Sequence, residues 1–349
     1  MENRNKAQLQ SFLKTLPPVE FSCVYGSSLH PNNPGSAKST MVDCILGVSN
    51  PRQWHSENLT LNNDHYSSWM VLLGGARLIT DVADEIGVGV HFNPFVSWND
   101  KMFKYGVVRM HDLVEDILNW EKFYLSSRLQ KPVHVLLDNL DFANVNSVNL
   151  RGAMSAALLL LPSKFTEEEL YAKICSLSYM GDLRMLFAED RNKLKLNQWL
   201  HKSTNLHSVK KIVQGQFELF RPMYKPFIEE YETKELLRCS LSGNTQPIIS
   251  QDGGLLAARS LVSSLPPMVR SQMGMKLGEK KVLCDSGRVI QEIVIGSKDE
   301  AAKCMQTILR RKVMVSSARQ AMSGLLAAGG INATRYLGAK MSKAWKSWR

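Results

Sequence analysis

A glycine–serine pair and a single aspartate stand where they could handle a nucleotide phosphate. Gly26 and Ser27 follow an apolar run at residues 21–25. Asp43 lies inside a second apolar run, at residues 41–48. Glycine permits a tight turn, beside which exposed backbone N–H groups can bind phosphate oxygens, whereas a carboxylate in an apolar strand costs free energy unless it is paired or holds a metal ion. The pattern predicts a site for a polyphosphate and Mg²⁺, although a Gly-Ser pair alone also occurs in ordinary turns.

The order of strand, Gly-Ser turn and acid-bearing strand is the core pattern of the polymerase-beta-like nucleotidyltransferase fold. That fold usually carries two acids separated by one residue, but the second position here is Ile45. Asp182 is the candidate for the missing acid, because Gly181 indicates a tight turn and Arg184 adds a cation. A local Asp–Arg pair that caps a turn would explain the same residues. Solvated charges would explain Glu189, Asp190 and Lys193 almost as well as a role in the site.

Several other polar residues are open to two interpretations. Lys104 begins a predicted strand and either neutralises phosphate or occupies a sheet edge. His55 and His65 lack a third residue at zinc-ligand spacing, so they either contact phosphate or hold a loop by hydrogen bonds. Arg128 and Lys131 either have a role in the site or form a solvated face. The predicted catalytic residues are Asp43, Asp182 and Lys104, the predicted metal ligands are Asp43 and Asp182, and the predicted phosphate-binding residues are Gly26, Ser27, Ser28, Arg184 and Lys193.

The elements that must position these residues predict an α+β fold. Beyond the strands at 21–25 and 41–48, periodicity predicts helices at 7–16, 65–86 and 112–124, a hairpin around Asn99-Asp100 and a strand at 133–137. After about residue 140 the pattern becomes helical, with a helix at 149–161 and a capping box at Thr166 and Glu169. Residues 240–255 are polar and predict a linker. The predicted divisions are a nucleotidyltransferase domain at 1–140, a winged-helix-like domain at 141–240, a linker and return segment at 241–300 and a basic tail at 301–349.

Charge is concentrated at the end of the chain. The 349 residues carry a net charge of +11, and from residue 301 onward there are ten lysines and arginines without any aspartate or glutamate. The first 300 residues are therefore nearly neutral. Such asymmetry indicates a polyanionic partner. No apolar run reaches the roughly 20 residues that a spanning helix needs, so we do not expect the chain to cross a bilayer.

The last residues form an amphipathic pattern. On a helical projection the tryptophans and a methionine share one face and the lysines the other, which favours an anionic membrane surface. A terminal helix packed on the protein body is one rival. Nucleic acid is another, and it is disfavoured because the aromatics do not interleave with the cations. The predicted membrane-binding residues are Lys340, Met341, Lys343, Trp345, Lys346 and Trp348.

The cysteines and the N-terminus restrict the compartment. The six cysteines are scattered without a CxxC pair, which indicates buried thiols in a reducing compartment rather than a disulfide framework or a zinc site. The first ten residues are polar, so we expect no secretory signal there and see no clear mitochondrial presequence.

Many separate segments resemble one family. They are CVYGSSL (23–29), MVDCILGV (41–48), WHSENL (54–59), NDHYS (63–67), KYGVV (104–108), EDILNWEKFY (115–124), SRLQKPV (127–133), LSYMGDLRM (177–185) and the ending KAWKSWR (343–349). Together they resemble the mitochondrial phosphatidate cytidylyltransferases, also known as translocator assembly and maintenance proteins. The resemblance covers nearly the whole chain in order and is weakest between about 200 and 300.

The resemblance implies a function as well as a fold. It implies conversion of CTP and phosphatidic acid into CDP-diacylglycerol and pyrophosphate with Mg²⁺, which supplies cardiolipin synthesis at the matrix side of the mitochondrial inner membrane. It also implies a nucleotidyltransferase domain, a winged-helix-like domain and a C-terminal membrane-binding helix. Two alternatives remain: a nucleotidyltransferase with another acceptor, and a non-enzymatic assembly factor at the inner membrane, which Ile45 favours. Base specificity, acyl preference and oligomeric state do not follow from the sequence.

Overall fold

A computed structural model describes residues 2–26, 41–181, 205–240, 247–283 and 289–346 as a mixed α+β protein. Its main sheet has the strand order β3-β4-β2-β1-β5. Strands β2 and β4 are parallel, and the other neighbours are antiparallel. The strands are β1 (Phe21–Tyr25), β2 (Val42–Val48), β3 (Val90–Trp98), β4 (Lys101–Arg109) and β5 (His134–Asp138).

Both faces of this sheet are apolar over most of their area. Phe21, Cys23 and Ile45 belong to one buried cluster, and Cys44 and Leu46 belong to another on the opposite face. The alternation follows from the two-residue period of a strand, which sends successive side chains to opposite faces. Layers therefore cover the sheet on both sides, and the predicted strands at 21–25 and 41–48 are confirmed within one residue.

Helices between the strands pack on the sheet. The predicted helix at 65–86 is wrong as a single element, because it is broken at Gly74 and Gly75, where Gly75 has a φ of 54°. An unpredicted helix precedes it, capped by the Asn50 side chain, which accepts from the Gln53 N–H. The elements are α1 (Glu2–Leu13), α2 (Pro51–Leu61), a 3₁₀ turn (Asn63–His65), α3 (Ser68–Leu73), α4 (Gly75–Asp81), a π-helical turn (Val82–Ile86), α5 (Met110–Asn119) and α6 (Ser126–Leu129).

The second half is mainly helical, with a three-stranded sheet of order β6-β8-β7 and a separate β9–β10 hairpin. The capping box at Thr166 and Glu169 is confirmed. The predicted linker at 240–255 contains strand β8, so it is not wholly irregular. The elements are α7 (Phe142–Leu160), β6 (Lys164–Thr166), α8 (Glu167–Leu177), α9 (Asn205–Thr233), β7 (Leu237–Ser240), β8 (Ile248–Gln251), α10 (Leu255–Ser263), α11 (Pro267–Leu277), β9 (Glu279–Leu283), β10 (Val289–Ile293) and α12 (Lys298–Lys346).

Helix α12 contains most of the segment that the sequence assigns to a basic tail. Its first part packs in the largest apolar cluster, where Ala301, Met305 and Leu309 are buried. The helix changes direction at Gly329, whose φ of 68° lies in the left-handed region that favours glycine. Packing on the body thus extends to Ala328, while the predicted domain limits themselves stay predictions. None of the described helices combines the length and apolarity needed to cross a bilayer.

Candidate functional site

Three of the predicted residues meet at one end of the central strands β1, β2 and β4. Asp43 pairs with Tyr25 on β1 and with Lys104 on the parallel strand β4, so Asp43 and Lys104 point to the same face. The Lys104 Nζ lies 3.6 Å from Asp43 Oδ1, and both side chains keep about a quarter of their surface exposed, 22% for the lysine and 27% for the aspartate. The two charges therefore remain accessible to a ligand.

Lys104 is also held from below by an aromatic ring. Its Nζ lies 4.4 Å from the centroid of the Phe92 ring, within the range of a cation–π interaction. Phe92 belongs to β3 and pairs with Gly106, where any side chain would overlap the ring. The lack of a side chain at Gly106 thus lets Phe92 lie flat beneath the ammonium group. This contact holds the ammonium group of Lys104 on the same face of the sheet as Asp43.

Gly26 places a backbone turn against the aspartate. Its φ is 88°, in the left-handed region that favours glycine. A Cβ on Gly26 would lie 3.6 Å from Asp43 Oδ2, so the carboxylate lies next to the turn. This is the geometry that a chain leaving β1 needs to present backbone N–H groups beside an acid. The predicted partners Ser27 and Ser28 lie outside the described residues.

Arg128 is a cation of this site that the sequence left unassigned. Its guanidinium lies 3.7 Å from the Tyr124 ring centroid and 6.0 Å from the Tyr25 ring centroid. Burial and the nearby Asp43 carboxylate raise the pKa of Tyr25, while Arg128 opposes that shift, which places both charges near the Tyr25 hydroxyl. Tyr25 thus stays protonated as a donor. Among the described residues the site thus combines the Asp43 carboxylate with the cations Lys104 and Arg128.

A buried aspartate shapes the loop that carries Arg128. Asp116 is 4% exposed, and its carboxylate accepts the backbone N–H groups of Lys122, Phe123, Tyr124, Leu125 and Ser126 at 2.7–3.1 Å. The loop wraps around this carboxylate with Trp120 and Phe123 at positive φ. Asn149 on α7 extends the support by accepting from Trp120 Nε1 and donating to Ser126 O. Asp116 is a structural residue that positions the loop.

The histidines predicted as possible phosphate ligands belong to a buried network on the opposite face. His55 Nδ1 and His65 Nδ1 lie 2.8 Å from the hydroxyls of Tyr66 and Tyr105, respectively. Asn58 Nδ2 donates to both hydroxyls at 2.8 Å. Burial lowers the pKa of His55 and of His65. The structure therefore supports the loop-holding interpretation for these two histidines.

Lys131 connects the sheet to the helical half. Its Nζ donates to Ser178 Oγ at 2.7 Å and lies 4.9 Å from the Tyr179 ring centroid. Ser178 and Tyr179 lead into Gly181, which has a φ of 76° and so confirms the predicted turn. The segment that precedes Asp182 is thus anchored to the loop that carries Arg128. Asp182, Arg184 and Lys193 themselves lie outside the described residues.

The predicted membrane residues are described only in part. The backbone is helical as far as Lys346, so Lys340, Met341, Lys343, Trp345 and Lys346 belong to α12. Their side chains lie outside the described part of the structure, as does Trp348 altogether. The helical prediction for this segment is confirmed to Lys346, and its contact with a membrane stays a prediction.

The donor set around Asp43 fits a magnesium ion bound jointly with phosphate. The ion pair with Lys104 is longer than a charge-assisted hydrogen bond, so it does not hold the carboxylate oxygen in a directional bond. Mg²⁺ takes one or two carboxylates together with phosphate oxygens and water. Within the described ranges no three acidic, histidine or cysteine side chains cluster as a metal cage, and Ile45 is buried in the core. Asp43 is the described residue that would hold the ion.

Comparison with known proteins gives one consistent result. A family model described as "Phosphatidate cytidylyltransferase, mitochondrial" matches residues 9–343. Proteins of that name from Danio rerio and Bos taurus are 30% and 31% identical over 342 and 339 residues, covering 95% of this chain and 93% and 92% of their own lengths. The protein of that name from Mus musculus is 32% identical over 332 residues, covering 94% of this chain and 89% of its own.

Proposed function

The chain belongs to the mitochondrial phosphatidate cytidylyltransferase family, and we propose that it transfers a cytidylyl group from CTP to phosphatidic acid, releasing pyrophosphate and giving CDP-diacylglycerol. The observation that carries the proposal is the alignment of Asp43 and Lys104 on neighbouring strands, with the Gly26 turn next to the carboxylate. An acid, a cation and a glycine turn at one end of neighbouring strands can together bind a nucleoside triphosphate. We assign the main sheet to a nucleotidyltransferase domain and the helical half to a winged-helix-like domain.

The chemistry mainly requires the control of negative charge. Phosphatidic acid carries a phosphate monoester that is already anionic near neutral pH, so the chain need not supply a strong base. The obstacles are repulsion between acceptor and triphosphate and the charge that develops on the departing pyrophosphate. Lys104 and Arg128 reduce both by placing positive charge at the site before the reaction begins. Binding both substrates in line supplies the remaining advantage.

Each residue then has a defined part. Asp43 would hold Mg²⁺ against the triphosphate, and the ion would supply positive charge to the phosphate oxygens there. Gly26 allows the backbone to turn beside the carboxylate, and Ser27 and Ser28 follow as phosphate donors. Asp182 is our candidate for a second metal ligand, with Arg184 and Lys193 as further phosphate-binding cations, because Lys131 anchors the preceding segment to the loop of Arg128.

The acceptor also determines where the protein works. Phosphatidic acid stays in a bilayer, so the enzyme must reach a membrane surface. We assign this contact to the residues of α12 beyond Gly329, at the matrix side of the mitochondrial inner membrane, where the product would supply cardiolipin synthesis. Basic residues near an anionic leaflet contribute about 1 kcal/mol each before screening.

A single assay tests the activity. The full chain is incubated with Mg²⁺, phosphatidic acid vesicles and each nucleoside triphosphate in turn, and both pyrophosphate and lipid product are measured. We expect CDP-diacylglycerol with CTP, and its loss on chelation of Mg²⁺. Asp43→Asn should lower turnover by at least about a thousandfold without unfolding the protein, since it removes the metal-holding charge. The matched control is Asp81→Asn, which makes the same change at an exposed helix position.

The outcomes separate the alternatives. Pyrophosphate release without a lipid product would favour a nucleotidyltransferase with another acceptor. The absence of pyrophosphate with every nucleotide would favour the non-enzymatic assembly factor, for which the isoleucine at position 45 is the supporting observation. Near-normal turnover by Asp43→Asn would contradict the assignment of this carboxylate.

A further inference from the structure

A cavity of about 1020 Å³ lies in the helical half, between α10, α11 and the β9–β10 hairpin. Helix α10 contributes Arg259 and Ser263, one turn apart, and α11 contributes Arg270 and Ser271. The apolar sides of both helices are turned to the core through Ala258, Leu261, Val269 and Met273, which are nearly or fully buried. The two helices thus turn their apolar sides to the core and their polar side chains to the cavity.

The two arginines have donors that lack acceptors. Within the described residues, the Nε atoms of Arg259 and Arg270 are both buried from solvent and make no hydrogen bond. A buried donor of a charged group without an acceptor is costly, and such groups in folded proteins are usually satisfied. Two of them lining one cavity indicate that the acceptor is a ligand. An anion with several oxygens would satisfy guanidinium groups best.

Acidic side chains in the lining do not fulfil this need. Glu292 lies 3.6 Å from Arg259 Nε but 3.0 Å from Lys280 Nζ, so its charge is shared between two cations. Glu279 packs against Gly274, where any side chain would overlap its carboxylate. In the described part of the chain Arg270 has no ion-pair partner. Among the described residues, the charge of Arg259 is thus partly neutralised by Glu292, whereas no acidic side chain pairs with Arg270.

The helices and the hairpin that form the cavity also carry exposed large apolar side chains. Met275 lines the cavity and is 77% exposed, and Leu256, which lies one turn before Arg259 on α10, is 78% exposed. Leu283 and Val289 face each other across the hairpin and are 69% and 63% exposed. Exposed large apolar side chains around a site for an anion indicate a ligand that has both an anionic group and a hydrocarbon part.

We propose that this cavity binds the phosphate group of an anionic phospholipid, with Arg259 and Arg270 on the phosphate and with Met275 and the exposed apolar side chains of the neighbouring elements against the acyl chains. This site is separate from the Asp43 site and does not rest on the proposed reaction. It gives the helical half its own contact with a membrane lipid, in addition to the predicted contact through the end of α12.

The test uses short-chain lipids that stay monomeric, so that vesicle binding by the end of α12 does not contribute. The full chain is incubated with short-chain phosphatidylglycerol, with phosphatidylcholine of the same chains or with inorganic phosphate, and hydrogen exchange is followed peptide by peptide. Phosphatidylglycerol is chosen because it has no phosphate monoester to react. We expect it alone to slow exchange in residues 255–283. Equal protection by phosphatidylcholine or by phosphate would overturn the assignment to an anionic amphiphile.

Substitutions in and outside the cavity test where the lipid binds. Arg270→Gln should weaken the protection by phosphatidylglycerol roughly tenfold in ligand concentration, since it removes a charge-assisted contact. Its thermal midpoint should stay equal to or above that of the parent, because the Nε has no partner to lose. Arg238→Gln, which removes the same charge from exposed strand β7, should keep full protection. Met275→Ser should weaken lipid protection, whereas Met322→Ser on α12, also exposed, should not.

Two further results would refute the proposal. One is the absence of protection in the parent chain at saturating phosphatidylglycerol. The other is equal protection in Arg270→Gln and the parent. Asp43→Asn should keep the protection, so failure of the proposed reaction and failure of this site would be seen in different measurements.

Discussion

Replacing Asp116 with asparagine should destabilise the protein more than any surface change of the same chemistry. The carboxylate accepts five backbone N–H groups, two at Oδ1 and three at Oδ2. An asparagine keeps one oxygen, so in its better orientation it leaves the two donors at the other position facing an amide N–H₂. Each buried donor that loses its acceptor costs about 1–3 kcal/mol. The expected loss in free energy of unfolding is therefore about 2–6 kcal/mol.

The measurement is urea unfolding of the full chain, followed by tryptophan fluorescence and by circular dichroism. The Asp43→Asn variant is the matched control, because the same atoms change at a site whose carboxylate is partly exposed and paired at 3.6 Å. We expect that control to stay within about 0.5 kcal/mol of the parent. The two variants should thus lose different properties. Asp116→Asn should lose stability, and Asp43→Asn should lose turnover. A stability of Asp116→Asn within about 0.5 kcal/mol of the parent would show that the loop does not depend on this carboxylate.

Three further predictions concern the site, the buried histidines and the end of the chain. Arg128→Gln should raise the KM for CTP roughly tenfold with a smaller change in kcat, measured beside the exposed control Arg77→Gln. Burial lowers the pKa of His91 to about 4 and that of His55 well below 6.5. The unfolded chain therefore binds more protons than the folded chain, and the free energy of unfolding should fall as the pH drops from about 6.5 towards 4. His91→Asn should flatten this dependence, and a pH-independent urea midpoint would contradict it. Deleting residues 331–349 should lower binding to anionic vesicles at least about tenfold in flotation, and unchanged flotation would refute a membrane role for that segment.

The parts of the fold that the sequence predicts are those whose signals are local. Strand β1 is confirmed at residues 21–25, because an apolar run ends at a glycine that turns the chain. The hairpin is confirmed because Asn99 and Asp100 both adopt positive φ, which these residues tolerate in a two-residue turn. The kink at Gly329 follows from the same preference of glycine. Short-range chemistry is sufficient in each case.

The parts that the sequence does not predict depend on distant contacts. Lys104 meets Asp43 because β2 and β4 pair in parallel, and this register is invisible in a single sequence. The sequence predicts Asp116 as an ordinary helix residue, but its hydrogen-bond partners are backbone N–H groups six to ten residues further along the chain. Arg128 joins the site through contacts with the rings of Tyr124 and Tyr25. The arginine cavity likewise requires two helices and a hairpin to assemble.

Helix α12 connects the candidate site to the segment assigned to the membrane. Lys312 Nζ and Ser316 Oγ donate to the carbonyls of Glu121 and Lys122, in the loop whose N–H groups Asp116 holds. Further along, Arg319 donates to the carbonyls that end the π-helical turn, and Trp69 Nε1 donates to Leu326 O just before the kink. The helix is therefore attached to the half that contains the main sheet from Lys312 to Leu326. A membrane contact made beyond Gly329 would fix the distance and direction of the Asp43 site from the lipid surface. Inserting residues at Gly329 should therefore reduce turnover on vesicles more than turnover on a soluble acceptor.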